Sequence, residues 1–264
     1  MLPIAPGDTL GRLRRSLAEI DPSRAFLGEE TASLRLVLPA IDAALQGGLA
    51  FGALHELAPS SPAQLGAAAG FALALAALTV AGGGTALVIQ TDFAALEAGT
   101  PYGPGLDLLG LPMERLLILR VARPLDVLCA FEEALKSRAV AATLAALPET
   151  GNAADLTATR RLSLAARTGG GLGLLLRHKP SPLPTAAMTR WEIAAALSKP
   201  DRFGGLGRTA FDLSLTRNRR GHCGRFIVCW DHHDRTFVPQ ALSLGVAAAA
   251  RDRSDDAQPL VRAG

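Results

Sequence analysis

Hydrophobic positions through the middle of the chain fall into short runs that alternate with helix-length stretches, each closed by glycine, proline or a polar cluster. Residues 53–57, 85–90, 116–120, 140–147 and 172–176 are mostly apolar and of strand length, as strands buried on both faces should be. Between them, residues 63–81, 93–99, 124–138 and 155–167 have helical length or helical spacing of apolar side chains. Gly82-Gly83-Gly84 and Gly169-Gly170-Gly171 stand where helices need a left-handed or unhindered terminus. Residues 101–105 read as a loop, and residues 34–38 alternate like an extra strand ahead of the series. Alternation of this kind predicts an α/β fold, a mostly parallel sheet with helices on both faces.

The last third changes period. Residues 190–197, 210–215 and 225–230 alternate apolar with polar, so antiparallel strands are expected to finish the sheet. Ahead of the core, Leu10, Leu13, Leu17 and Ile20 are spaced as one face of a short amphipathic helix over residues 9–20. Such a helix is marginal in water alone, so Leu10, Leu13 and Leu17 are expected to dock on a neighbouring surface. Residues 247–264 show no core pattern. The expected division is therefore residues 1–33 as helix and linker, 34–246 as core domain and 247–264 as a flexible tail.

Composition refines this picture in a few places. At 264 residues, 49% hydrophobic and 19% charged, the chain has material for one large globular core. Aromatics are only 5%, so that core must be built from closely packed Ala, Leu and Gly. Residues 63–90 carry no charge over a span that could cross a bilayer, but glycine interrupts it and no Lys or Arg flanks it, so a buried helix and strand are expected. Arg12, Arg14 and Arg15 precede no apolar signal region, which makes a cytoplasmic location the expectation. The net charge of +3 permits an anionic partner without requiring one. Cys129, Cys223 and Cys229 show no framework spacing and are expected to be buried small hydrophobes. Cys223 and Cys229 would lie about 20 Å apart on one strand, so no zinc site is expected with His232 and His233.

A strand, a short loop and a long helix, preceded by Gly-Gly-Leu-x-x-Gly, is where α/β nucleotide-binding domains carry a phosphate loop. That chemistry needs glycines whose amides face phosphate, a lysine for the terminal charges and a hydroxyl on Mg²⁺. Here the loop is Ala58-Pro59-Ser60-Ser61-Pro62-Ala63-Gln64-Leu65, with no glycine or lysine. The run from Ile41 to Leu57, with Gly47-Gly48-Leu49 and Gly52, resembles the entry to the RecA ATPase core. By position, Gln64 then replaces the lysine and Leu65 the hydroxyl, and Pro62 removes a donor. Asp92 falls where such proteins carry the water-activating acid, but an Asp capping the following helix is the reading preferred here. The strand at 140–147 ends on Ala146 and Leu147, with no acid for a metal. Losing all of these removes charge neutralisation of a phosphoryl group, so neither hydrolysis nor any cofactor is expected.

Within that superfamily the chain resembles the ImuA family of RecA/SulA-like accessory proteins. The resemblance rests on the Ile41 to Leu57 run, Tyr102-Gly103-Pro104-Gly105 with Leu109-Gly110-Leu111, the segment from Leu156 to Leu162, Thr189-Arg190-Trp191 and Leu215-Thr216-Arg217-Asn218-Arg219. It implies a non-catalytic adaptor in SOS-linked translesion DNA synthesis and mutagenesis, assembling with a polymerase-like protein, an error-prone replicative-type polymerase and, as further candidates, RecA and DNA. It leaves open a SulA-like inhibitor of another assembly, such as cell division, and a residual ATP-dependent DNA-binding protein. Arg160, Arg161, Arg177, Lys179, Arg190, Arg217, Arg219 and Arg220 lie after or between core strands, where phosphate contacts would be made without base reading. Solvated surface arginine is the competing reading. Trp191 and Trp230 are expected in the core rather than as base-stacking platforms.

Overall fold

The computed structural model describes residues 32–148, 154–200, 205 and 207–240. Its elements run β1 (Ser33–Leu34), α1 (Pro39–Ala44), β2 (Leu49–Ala50), β3 (Ala53–Pro59), α2 (Leu65–Ala81), β4 (Thr85–Thr91), α3 (Asp92–Ala98), α4 (Gly103–Leu109), β5 (Leu116–Val121), α5 (Pro124–Lys136), β6 (Val140–Leu147), α6 (Leu156–Gly169) and β7 (Leu172–Arg177). The chain then turns to strands alone: β8 (Thr189–Ala195), β9 (Ala210–Asn218), β10 (Gly224–Asp231) and β11 (Thr236–Pro239).

Nine strands form one sheet in the order β11-β10-β9-β8-β3-β7-β6-β4-β5. The half from β8 to β5 is parallel throughout, and β8, β9, β10 and β11 pair antiparallel. The α/β class, the mostly parallel sheet and the antiparallel finish are those expected from the hydrophobic pattern. Helix α2 packs over β3, β6, β7 and β8 on one face, while α5 and α6 cover the other face from β4 to β3. The antiparallel strands bury one face under α2 and leave the other to polar residues, which is why their sequences alternate with period two.

Alanine lets α2 approach the sheet closely: Ala68, Ala72, Ala74 and Ala76 are all buried. The few aromatics are concentrated around one of its side chains. Phe71 stacks at 6.3 Å from Trp191, 5.7 Å from Phe211 and 5.4 Å from Phe237, and Phe237 lies 4.8 Å from Trp230. Both tryptophans are fully buried, as expected. With its preceding turn, α2 spans Pro62–Ala81 at a mean hydropathy of 1.8 and is long and apolar enough to cross a membrane. Here it lies along the sheet. Helix α5 presents Val127, Leu128, Phe131 and Leu135 to the opposite face, and α6 is capped by Asp155, whose Oδ1 accepts from the Ala158 amide at 2.8 Å.

Four features differ from the sequence reading. Of the expected strand at 34–38 only Leu34, together with the preceding Ser33, pairs with β2; the chain then bends so that the Leu36 amide donates to Asp42 Oδ1 at 2.9 Å, and Pro39 opens α1. Buried Leu36 and Leu38 produced the alternation. Gly48 in this turn has φ +123°, and an added Cβ would meet the Leu34 carbonyl. Part of the expected loop at 101–105 is helical, because Pro104 sits in the first turn of α4. The strand β8 is antiparallel to β9 but parallel to β3, since the 178–188 connection carries the chain back before β8 begins. The proline-terminated β11 is too short to show a period.

His55 on β3 fixes the junction of the two halves. Its Nε2 donates to the Ala50 carbonyl at 2.9 Å, so Nδ1 accepts from the Thr189 hydroxyl at 2.8 Å, and the Trp191 indole donates to that hydroxyl at 2.9 Å. Burial disfavours the charged imidazole, and the hydrogen bond to Ala50 offsets only part of this, so the pKa falls from 6.5 to about 4. Between those values the unfolded chain binds more protons than the folded one, so stability is full above pH 6.5 and is lost as pH falls toward 4. We expect denaturant unfolding to show about 2 kcal/mol less stability at pH 5 than at pH 7 from this group. In His55→Gln that pH-dependent loss should shrink; an unchanged slope would assign it to other groups.

Candidate functional site

The turn after β3, where a phosphate loop would sit, is tied to β8. The Ser60 amide donates to the Ile193 carbonyl at 2.8 Å, and Gln64 Oε1 accepts from the Ala195 amide at 2.8 Å. Pro62 to Gln64 form a 3-10 turn, Leu65 is half-buried at the start of α2, Pro59 is buried, and the Ser60 and Ser61 side chains face solvent. Asp92 does not cap α3: Thr91 does, its hydroxyl accepting from the Ala94 amide at 3.0 Å. Asp92 lies in the first turn and pairs with Arg120 at 3.2 Å, the carboxylate being satisfied by the neighbouring strand instead of by the helix. Ala146 packs half-buried against the α2 side of the core. Beyond the carboxyl ends of β4, β5, β6 and β7 lies an open cleft of about 380 Å³ lined by Thr91, Phe93, Glu97, Ala122, Pro124, Pro148 and His178. Among the described residues its lining offers a carboxylate and no lysine or arginine, the wrong sign for a polyphosphate.

One buried charge organises the middle of the sheet. The Glu56 side chain is 1% exposed on β3; Arg177, ending β7, pairs with Oε1 at 2.5 Å, and Arg190, on β8, approaches it at 3.4 Å. Other guanidinium nitrogens of the pair reach backbone. Arg177 donates to the Ala154 carbonyl at 2.7 Å, and Arg190 to those of Ser181 and Leu183, each at 2.7 Å. The cluster thus ties three adjacent strands to the segment before α6 and to the 178–188 connection. Arg177 and Arg190, expected as phosphate contacts, are occupied here. Sequence reading missed Glu56, although an acid in a strand otherwise apolar on that side was the signal, since buried charge requires a partner.

The other basic positions lie on α6, at the end of β9 and on the 178–188 connection. Its Ala186 amide donates to the Thr159 hydroxyl at 3.0 Å and its Ala186 carbonyl accepts from Ser163 at 3.1 Å, which lays it along α6. Arg160 and Arg161 are exposed on that helix, with Arg161 paired to Glu132 of α5 at 2.7 Å. Lys179 is exposed at the start of the connection. Arg217 stands opposite Arg190 in the β8–β9 register, and the Arg219 side chain reaches the Thr185 carbonyl at 3.4 Å. Arg220 follows in the turn fixed by Asn218, whose Oδ1 accepts from the Arg220 amide at 3.0 Å. Of the expected set, Arg190 and Arg219 bind carbonyls of the connection and Lys179 lies on it, whereas Arg161 turns to α5 and Arg177 to the segment before α6.

Other candidates resolve into structural roles. Cys229 is buried, and burial pushes its thiol above the ordinary range. Cys129 and Cys223 are exposed, contrary to expectation, because α5 and the β9–β10 turn point them outward. His232 Nδ1 lies 3.2 Å from the Leu108 carbonyl, and the His233 amide donates to Asp231 at 2.9 Å. Among the described residues no three His, Cys, Asp or Glu side chains come together as metal ligands. Leu10, Leu13 and Leu17 lie outside the described residues.

No family model matches the chain. Protein ImuA from each of two strains of Caulobacter vibrioides is 34% identical to it over an alignment of 168 residues, covering 58% of this chain and 67% of the relative. The chain belongs to the ImuA family. In this ImuA-family fold the buried Glu56 cluster is the feature whose removal should be felt most. Glu56→Gln leaves two guanidiniums facing a neutral amide, and chemical denaturation should show a loss of about 3–5 kcal/mol. Adding Arg177→Gln should cost much less than the sum of the single changes, because the two share one interaction. Additive losses would show that the residues act separately.

Proposed function

We propose that the chain is a non-catalytic, RecA-like adaptor in damage-induced translesion DNA synthesis and mutagenesis, engaging a polymerase-like protein and an error-prone replicative-type polymerase, with RecA and DNA as further contacts. Membership of the ImuA family supports the pathway. A βα unit whose helix leads to a strand two places beyond its neighbour, further parallel strands and an antiparallel extension support the RecA-like reading.

The observation that carries the non-catalytic part is the engagement of the 60–65 turn with β8. Its Ser60 amide and Gln64 side chain are bound to strand backbone, and Gln64 and Leu65 bring neither cation nor hydroxyl to that place. Nucleotide hydrolysis requires preorganised positive charge at the transferred phosphoryl group. Arg160, Arg161, Lys179, Arg217, Arg219 and Arg220, on α6, the 178–188 connection and the end of β9, would instead serve sequence-independent phosphate contacts or an acidic protein surface. The assignment names no resident cofactor.

In cells lacking the chain, damage-induced mutation should fall at least tenfold and return with the wild-type gene. Arg160→Glu with Arg161→Glu should restore it poorly, whereas Gln64→Ala should restore it fully. For direct DNA contact, the same double reversal should weaken binding on every DNA tested and lower the salt slope by about 2. Unchanged mutation with altered division would favour the SulA-like inhibitor; micromolar Mg·ATP binding with turnover would favour an ATP-dependent protein.

A further inference from the structure

The two edges of the nine-stranded sheet are protected very differently. At one, β11 is four residues long and ends in proline, a device that discourages further pairing. At the other, among the described residues, β5 pairs with β4 on one side only. Its sequence, Leu116-Leu117-Ile118-Leu119-Arg120-Val121, contains no proline or glycine, and its central apolar side chains are open on both faces. Leu117 is 57% exposed and Ile118 and Leu119 are each 39% exposed. The register with β4 explains this. Leu117 and Leu119 lie beside Leu87 and Ile89 on the α5 face, and Ile118 lies beside Val88 on the α2 face. Helix α5 runs mainly over β6 and β4, so the apolar surface continues past its edge.

We propose that this edge is the interface of a symmetric homodimer, in which β5 pairs antiparallel with β5 of a second copy. The sequence of the edge selects that occupant. Residues directly opposite in an antiparallel pair share a face. In the register with Ile118 on the twofold axis, Ile118 meets Ile118 on one face, and Leu117 and Leu119 meet Leu119 and Leu117 on the other. Moving the axis to Leu119 sets Ile118 against Arg120; moving it to Leu117 sets Leu119 against Arg115. Only the central register matches all three exposed side chains with one another, and registers are set by such matching. An isologous twofold contact is also the commonest closed solution for a soluble chain.

The flanks extend the same contact. A pair of six-residue strands alone falls short of the roughly 800 Å² per partner that a stable interface buries. Antiparallel pairing brings the α3 end of one copy toward the start of β5 in the other. Exposed Phe93 and Leu96 stand on α3, and exposed Met113 precedes β5. These side chains add apolar surface at both ends of the strand pair. Arg120 stays solvated, paired with Asp92. The proposal stands independently of the pathway assigned above.

Sedimentation of the full chain across the micromolar range should show concentration-dependent conversion to twice its 27.4 kDa mass. Ile118→Lys should weaken association at least tenfold, because it sets two cations on the axis, while leaving the melting temperature unchanged at concentrations where both forms are monomeric. With Cys129→Ser and Cys223→Ser as background, Ile118→Cys should form a covalent dimer under mild oxidation, whereas Leu116→Cys should not. Opposed Cα atoms in an antiparallel pair lie within disulfide range. A monomer at every concentration, a dimer indifferent to Ile118→Lys, or equal cross-linking at positions 116 and 118 would each overturn the proposal.

Discussion

The structure depends on how a single carboxylate is neutralised at the centre of its sheet. Glu56 lies on β3, with the parallel strands on one side and, beyond β8, the antiparallel strands on the other. A carboxylate buried there is tolerable only with charged and hydrogen-bonded partners, and Arg177 and Arg190 supply them from the two flanking strands. Because each arginine also holds carbonyls outside the sheet, the same cluster fixes the segment before α6 and the connection between β7 and β8. Beside it, on the opposite face of β3, His55 binds β2 and β8 through Ala50 and Thr189. Neutral at neutral pH, it adds a second polar tie at the junction without adding charge.

This arrangement separates two regions that a nucleotide-hydrolysing relative would combine. The turn after β3 is bound to the end of β8 and has no cation to offer. Arg190 holds the 178–188 connection by the Ser181 and Leu183 carbonyls, and both it and Arg177 are committed to Glu56. Exposed Leu117, Ile118 and Leu119 stand together on β5 at one edge of the sheet, at the opposite end of the parallel half from β8.

The elements were legible in the sequence where a period or a run length decided them. The strand at 140–147 and the alternating strands near 190, 210 and 225 follow directly from the pattern of apolar residues. Strand order was not legible, because a period says which face a residue takes and nothing about its neighbour. The parallel pairing of β8 with β3 was therefore hidden behind an alternation usual for antiparallel strands. The short helix α4 was obscured by Gly103, Pro104 and Gly105, residues read as a loop although proline suits a helix start. At the candidate site, that Gln64 and Leu65 bring neither cation nor hydroxyl to the turn after β3 could be read from the residues. The commitment of Arg177 and Arg190 to Glu56 could not, since their partner is 121 residues from one and 134 from the other in sequence.

Hydrogen exchange measured on the full chain, alone and with either single-stranded DNA, the polymerase-like partner or Mg·ATP, separates a binding role from nucleotide chemistry. DNA or the partner should slow exchange across the 178–188 connection and the exposed side of α6. Saturating Mg·ATP should leave residues 60–65 unchanged. Protection of residues 60–65 by Mg·ATP, with none around the connection from DNA or the partner, would contradict the binding role.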